Sequence, residues 1–153
     1  MMSLHLSKKG RERARFVEGL LEKHVAVVCD HGTRSGYIKR LLQIRFDLAN
    51  HPVRVFVIPL QRLSEARRRE YIQKADAFVT PSDRSEILSL AEKSLRLQRD
   101  KGAVEYAKNW KLLVTEAGNR PIFPFMVKGG DLVPMHELWW SIAEHLKLVP
   151  GHK

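Results

Sequence analysis

The chain has 153 residues, 44% apolar and 29% charged, with a formal charge of +10; this is the composition of one folded domain and excludes a disordered or low-complexity protein. No apolar run approaches the roughly 20 residues that cross a bilayer, and the basic N-terminus lacks the apolar segment of a secretory signal. The single cysteine excludes an intrachain disulfide and a cysteine-rich zinc site, so a cytoplasmic protein with no metal and no bound cofactor is expected.

Ser7 to Lys23 reads as a basic helix: Phe16 with Leu20, and Val17 with Leu21, repeat at four-residue spacing, and Ser7 can cap the start. His24 to Cys29, apolar and rich in valine, is the first strand. It breaks into the polar turn Asp30 to Ser35, and Ser35 is placed to cap a helix whose apolar stripe is Tyr37, Leu41, Ile44 and Leu48. Val53 to Ile58 is a second strand, closed by Pro59. Ser64 to Ala75 is a strongly basic helix with Ala66, Tyr71, Ile72 and Ala75 turned inward, and Asp76 to Thr80 is a short third strand.

Pro81 and Ser82 then turn the chain into a helix from about Asp83 to Arg99, with Ile87, Leu88, Ala91 and Leu95 inward. Gly102 interrupts it, and a helical turn over Ala103 to Trp110 leads to a fourth strand at Lys111 to Thr115. Pro121 to Val127 reads as a fifth strand. Pro124 makes it an edge strand, because proline cannot donate a ladder hydrogen bond. Gly129, Gly130 and Asp131 form a turn, and Met135 to Leu146 is the closing helix, with Leu138, Ile142 and Leu146 on one side.

Strands alternating with helices imply parallel pairing through right-handed crossovers. The expected fold is therefore α/β: a three-layer sandwich with a mostly parallel sheet of about five strands, flavodoxin-like or Rossmann-like. Residues 24–153 form a single α/β domain, preceded by the basic helix within residues 1–23. Such a sheet gathers ligand groups at the carboxyl ends of its strands. Two of the segments arriving there pair hydroxyls with an arginine: Thr33, Arg34 and Ser35 in one, Thr80, Ser82 and Arg84 in the other. An arginine fork matches carboxylate or phosphate oxygens. The expected ligand site thus comprises Asp30, Gly32, Thr33, Arg34, Ser35, Thr80, Ser82, Arg84 and Glu116, with Asp30 or Glu116 meeting any polar or cationic part of an otherwise anionic guest.

Cys29-Asp30-His31-Gly32-Thr33-Arg34-Ser35 has the spacing C-x-x-G-x-R-S, which resembles the active loop of single-domain rhodaneses. That likeness implies a sulfurtransferase in which Cys29 carries a persulfide and Arg34 holds the anionic donor. The loop is one residue short of the C-x-x-x-x-x-R loop of cysteine-dependent phosphatases, the other chemistry it suggests for Cys29 and Arg34. Leu4 to Ala14 looks like the segment that follows the wing in winged-helix DNA-binding domains. The pattern from Val25 to the Ala75-Asp76-Ala77-Phe78-Val79-Thr80 strand end is similar to the α/β sensor halves of GntR-type regulators.

That second resemblance implies a ligand-sensing regulatory domain of a transcription regulator, with an acidic metabolite as ligand, DNA reached only through an attached winged-helix unit, no membrane partner, and a homodimer. Enzymatic chemistry at Cys29 is the first alternative. Direct nucleic-acid binding is the second, through the basic clusters Lys8 to Arg15, Arg67 to Arg69, and Lys93, Arg96, Arg99 and Lys101.

Overall fold

The computed structural model describes residues 22–29, 33–97, 101–127 and 130–149. The expected helix over Ser7 to Lys23 lies, but for its end, outside the described residues. In chain order come β1 (Lys23–Cys29), α1 (Thr33–Leu48), β2 (Val53–Pro59), a 3-10 turn (Leu60–Arg62), α2 (Glu65–Lys74), β3 (Ala77–Thr80), α3 (Arg84–Leu97), α4 (Lys101–Ala117), β4 (Ile122–Pro124) and α5 (Met135–His145). All strand pairs are parallel, in the order β2-β1-β3-β4.

The sheet is covered on both faces, and the two-residue alternation of the strands sorts the core. Val25 and Val27 of β1 and Val79 of β3 face Ile38, Leu42 and Phe46 of α1 and Leu138 and Ile142 of α5. On the opposite face Ala26, Val28, Ile58 and Phe78 meet Ile72 of α2, Ile87 of α3, and Trp110 and Leu113 of α4. As an inner strand, β1 is buried through its last five residues, which is why it reads as an unbroken apolar run. Phe46 and Phe78 have no exposed surface, so truncating either to Ala should cost about 3–5 kcal/mol.

Four strands are present among the described residues rather than about five, because Lys111 to Thr115 belongs to helix α4. The inward residues of α4, Ala107, Trp110, Leu113, Val114 and Ala117, repeat at helical spacing, and Gly102 sits inside the helix's first turn. The proline-bearing strand is an edge, as its composition requires, but it is limited to Ile122–Pro124. Gly130, at φ 92°, donates to the Val127 carbonyl in a turn that returns Leu132 to pair with Met126.

Two helix stripes also differ from expectation. Helix α1 buries Ile38, Leu42 and Phe46 and leaves Tyr37, Ile44 and Leu48 at least half exposed. It begins at Thr33, so Ser35 lies within the first turn on the inner face instead of capping it. In α2, Ala66 is exposed, whereas Ile72 and Ala75 are buried and Tyr71 partly so. Both α1 and α5 end in a left-handed residue with the Schellman pair of bonds. Asn50 (φ 56°) donates to Asp47 and His51 to Phe46; Lys147 (φ 62°) donates to Glu144 and Leu148 to Ala143. No helix among the described residues is long and apolar enough to cross a membrane.

Candidate functional site

In the order β2-β1-β3-β4 the chain moves outward from β1 in one direction to reach β2, then crosses back to place β3 on β1's other side. In open α/β sheets such a reversal is where ligands bind, in a crevice at the strands' carboxyl ends, and here it falls between β1 and β3. The amino ends of α1 and α3 reach the crevice from opposite faces of the sheet. Asp30 and Gly32 lie outside the described residues, and the backbone of Thr33 opens α1.

Arg34 is exposed, and its Nη1 lies 3.2 Å from the Met126 sulfur, just beyond the carboxyl end of β4. A thioether is a weak acceptor, so this contact leaves the charge of the guanidinium unpaired by any acid among the described residues. Ser35 is buried beneath it. Across the crevice Thr80 has no exposed surface, and its hydroxyl donates to the Ser82 carbonyl at 2.5 Å; this closes the turn after β3 as a side-chain-stabilised turn. Asp83, rather than Ser82, caps α3: its carboxylate accepts from the Glu86 backbone N–H at 2.8 Å. That carboxylate occupies the amino end of α3, which leaves the α1 end and Arg34 as the cationic side of the crevice.

Arg84 and Glu116 are placed elsewhere. The Nη2 of Arg84 donates to the Arg120 carbonyl at 2.7 Å, and its Nη1 approaches the Val114 carbonyl at 3.5 Å. Arg120 precedes the amino end of β4, whereas Arg34 reaches past its carboxyl end, so the two guanidinium groups address opposite ends of that strand. Glu116 was expected in a loop after a strand; it lies in α4, where it is ion-paired with Arg69 of α2. That correction follows directly from the helical state of residues 111–115.

Cys29, the alternative nucleophile, is buried at the end of β1 with its sulfur 4.0 Å from the Ile58 carbonyl oxygen. These are the surroundings of a packed thiol. Beside the Thr80 to Ser82 turn, a small apolar hollow of about 40 Å³ opens between α3 and α4, lined by Pro81, Ser82, Ile87, Leu90, Tyr106 and Trp110. Among the described residues no group of three or more His, Cys, Asp or Glu side chains could hold a metal.

Arg120 carries a dense set of side-chain bonds among the described residues, and sequence reasoning missed it. Its Nη1 donates to the carbonyls of Ile72 and Ala75, both at 2.7 Å, its Nη2 to Glu116 at 2.6 Å and its Nε to Ala117 at 3.0 Å. The guanidinium also stacks 5.1 Å from the Phe78 ring. One side chain thereby closes the carboxyl ends of α2 and α4, where carbonyls lack intrahelical donors and carry partial negative charge. In the basic run of α2, Arg68 donates to the Leu60 carbonyl at 2.5 Å and Arg69 pairs with Glu65 and Glu116. Two of those three arginines therefore serve the fold.

No family model matches the sequence, and no curated protein or solved structure is significantly similar to it.

Proposed function

We propose that the crevice between β1 and β3 binds a small anionic metabolite and that the domain is a ligand-sensing regulatory unit of flavodoxin-like class. The observation that supports this reading is the strand-order reversal between β1 and β3, together with Arg34 at Met126, next to the Phe125 whose N–H bonds the Thr80 carbonyl. The anionic group of the ligand meets Arg34 and the first amides of α1. Its uncharged part lies toward Ser82 and the hollow edged by Ile87 and Trp110. Arg84 acts in this reading through the fold, holding the end of α4 against the amino end of α3.

Sensing requires that the ligand favour one of two arrangements of the domain and whatever it is attached to, in proportion to its differential affinity. Helix α1 is the element that would carry that bias, since its first turn meets the ligand and its length packs against the sheet. The sulfurtransferase and phosphatase readings draw no support from the burial of Cys29. The test is a thermal-shift screen with inorganic phosphate, acetyl phosphate, citrate and 2-oxoglutarate. At least one should raise the midpoint of the wild type and leave Arg34→Ala unmoved. An equal response of the two proteins would remove the reading.

A further inference from the structure

Among the described residues the sheet ends on one side at β2, whose outer edge is only half closed. Gln43 of α1 lays its carboxamide along that edge: Nε2 donates to the Val53 carbonyl at 2.9 Å, and Oε1 accepts from the Val55 N–H at 2.8 Å. These are the two bonds that one residue of an additional parallel strand would make there. By the alternation of strand backbone, the Val55 carbonyl and the Val57 N–H and carbonyl point the same way. No side chain among the described residues reaches them. An open groove of about 950 Å³ runs beside this edge, floored by β2 and walled by Gly36, Lys39, Arg40 and Gln43 of α1. At Gly36 a side chain would meet nothing within 4 Å.

The charge along this wall is uneven. Asp47 sits at the end that Gln43 already closes, bonded to Gln43 at 3.0 Å. Because α1 runs back along β2, Lys39 and Arg40 lie one turn further along, level with the open groups of Val55 and Val57. An uncovered strand edge is a template for another strand, and this one is bordered by Lys39 and Arg40 on the α1 side and, on the other face, by the partly buried Phe56 and the exposed Arg54, which is ion-paired with Glu22. The two cations favour an acidic occupant over a strand from a basic chain such as this one, whose formal charge is +10.

We propose that the β2 edge captures an extended acidic segment of a partner protein, added as a further parallel strand beyond Gln43. Main-chain bonds to Val55 and Val57 hold it, alternate acidic side chains face Lys39 and Arg40, and apolar ones face Phe56. This surface is separate from the crevice between β1 and β3.

Fluorescence anisotropy of the full chain with a labelled peptide of alternating Glu and Val tests it. Saturable binding at low salt should weaken about tenfold in Lys39→Glu/Arg40→Glu, a pair of surface changes whose fold is checked by circular dichroism. N-methylating one alternating set of peptide amides should abolish binding, and methylating the other set should spare it. The proposal is overturned by absence of binding, by equal binding of a Lys-Val peptide, or by equal effects of the two methylated sets. A dimer in sedimentation that Lys39→Glu/Arg40→Glu disrupts would assign the edge to a second copy and overturn it as well.

Discussion

Replacing Arg120 by Met should be among the most damaging single changes outside the apolar core. The wild-type guanidinium makes four bonds to backbone carbonyls at 2.6–3.0 Å, two on the end of α2 and two on the end of α4. A bond from a charged donor contributes about 1.5–3 kcal/mol when its loss leaves the partner unpaired. The Ile72 and Ala117 carbonyls keep the backbone N–H groups of Ala75 and Arg120 as donors, and the site is only part-buried, so water can reach the Ala75 and Glu116 carbonyls. Met keeps the contact with Phe78 but no donor, and the expected loss is about 3 kcal/mol. In a domain of this size that lowers the melting midpoint by roughly 6–12 °C. Lys places one point charge where a planar fork is needed and should recover less than about half of the loss. Urea denaturation by circular dichroism is the assay, with an unchanged m-value showing that the transition itself is the same. Arg84 donates to the Arg120 carbonyl, so the double variant Arg84→Met/Arg120→Met should depart from additivity by more than about 0.5 kcal/mol. A loss below about 0.5 kcal/mol for Arg120→Met would refute the clasp.

Other changes test smaller pieces. Lys147 holds φ 62° with a Cβ that disfavours it, so Lys147→Gly should raise stability by about 0.5–1 kcal/mol, and Asn50→Gly by less, because Asn tolerates the left-handed region. Ser64 and Asp83 accept from Arg67 and Glu86 backbone N–H groups, so converting either to Ala should cost about 1 kcal/mol in chemical denaturation. His51 stacks on Trp139 with ring centroids 5.7 Å apart, its Nδ1 buried and unpaired, and burial lowers its pKa below the ordinary 6.5. The unfolded chain then binds the proton more readily than the folded one, so stability falls as pH drops through 6.5 toward the lower folded value. His51→Phe should flatten that part of the stability-versus-pH curve.

The strands were legible where burial leaves no choice. His24 to Cys29, Val53 to Ile58 and Asp76 to Thr80 each match a strand to within about one residue: β1 and β3 are apolar because they are buried on both faces, and β2 is rich in β-branched residues although Arg54 is exposed. Pro124 announced an edge because proline has no N–H to donate to a ladder. Lys111 to Thr115 was misread because Leu112, Leu113 and Val114 form a short apolar run that periodicity alone cannot assign to strand or helix. Gly118, at φ 59°, stands just after Ala117 and was the available sign of a helix end. In α1 two parallel apolar rows compete, and only packing on β1 and β2 selects Ile38, Leu42 and Phe46. The arginines were least legible: sequence shows that Arg34 and Arg84 each follow a strand, but not that distant helix ends would engage Arg84 and Arg120. Strand alternation was enough to expect the reversal of strand order between β1 and β3, whereas the half-closed β2 edge required knowing where Gln43 lands.

The most direct measurement is a titration of the isotopically labelled protein with inorganic phosphate and with citrate, followed by amide chemical shifts. The largest movements should fall on Thr33 to Ser35 and on Thr80 to Ser82, saturate, and disappear in Arg34→Ala. Movements confined to the basic faces of α2 and α3, or none at the crevice with any of the anions in the thermal screen, would contradict it.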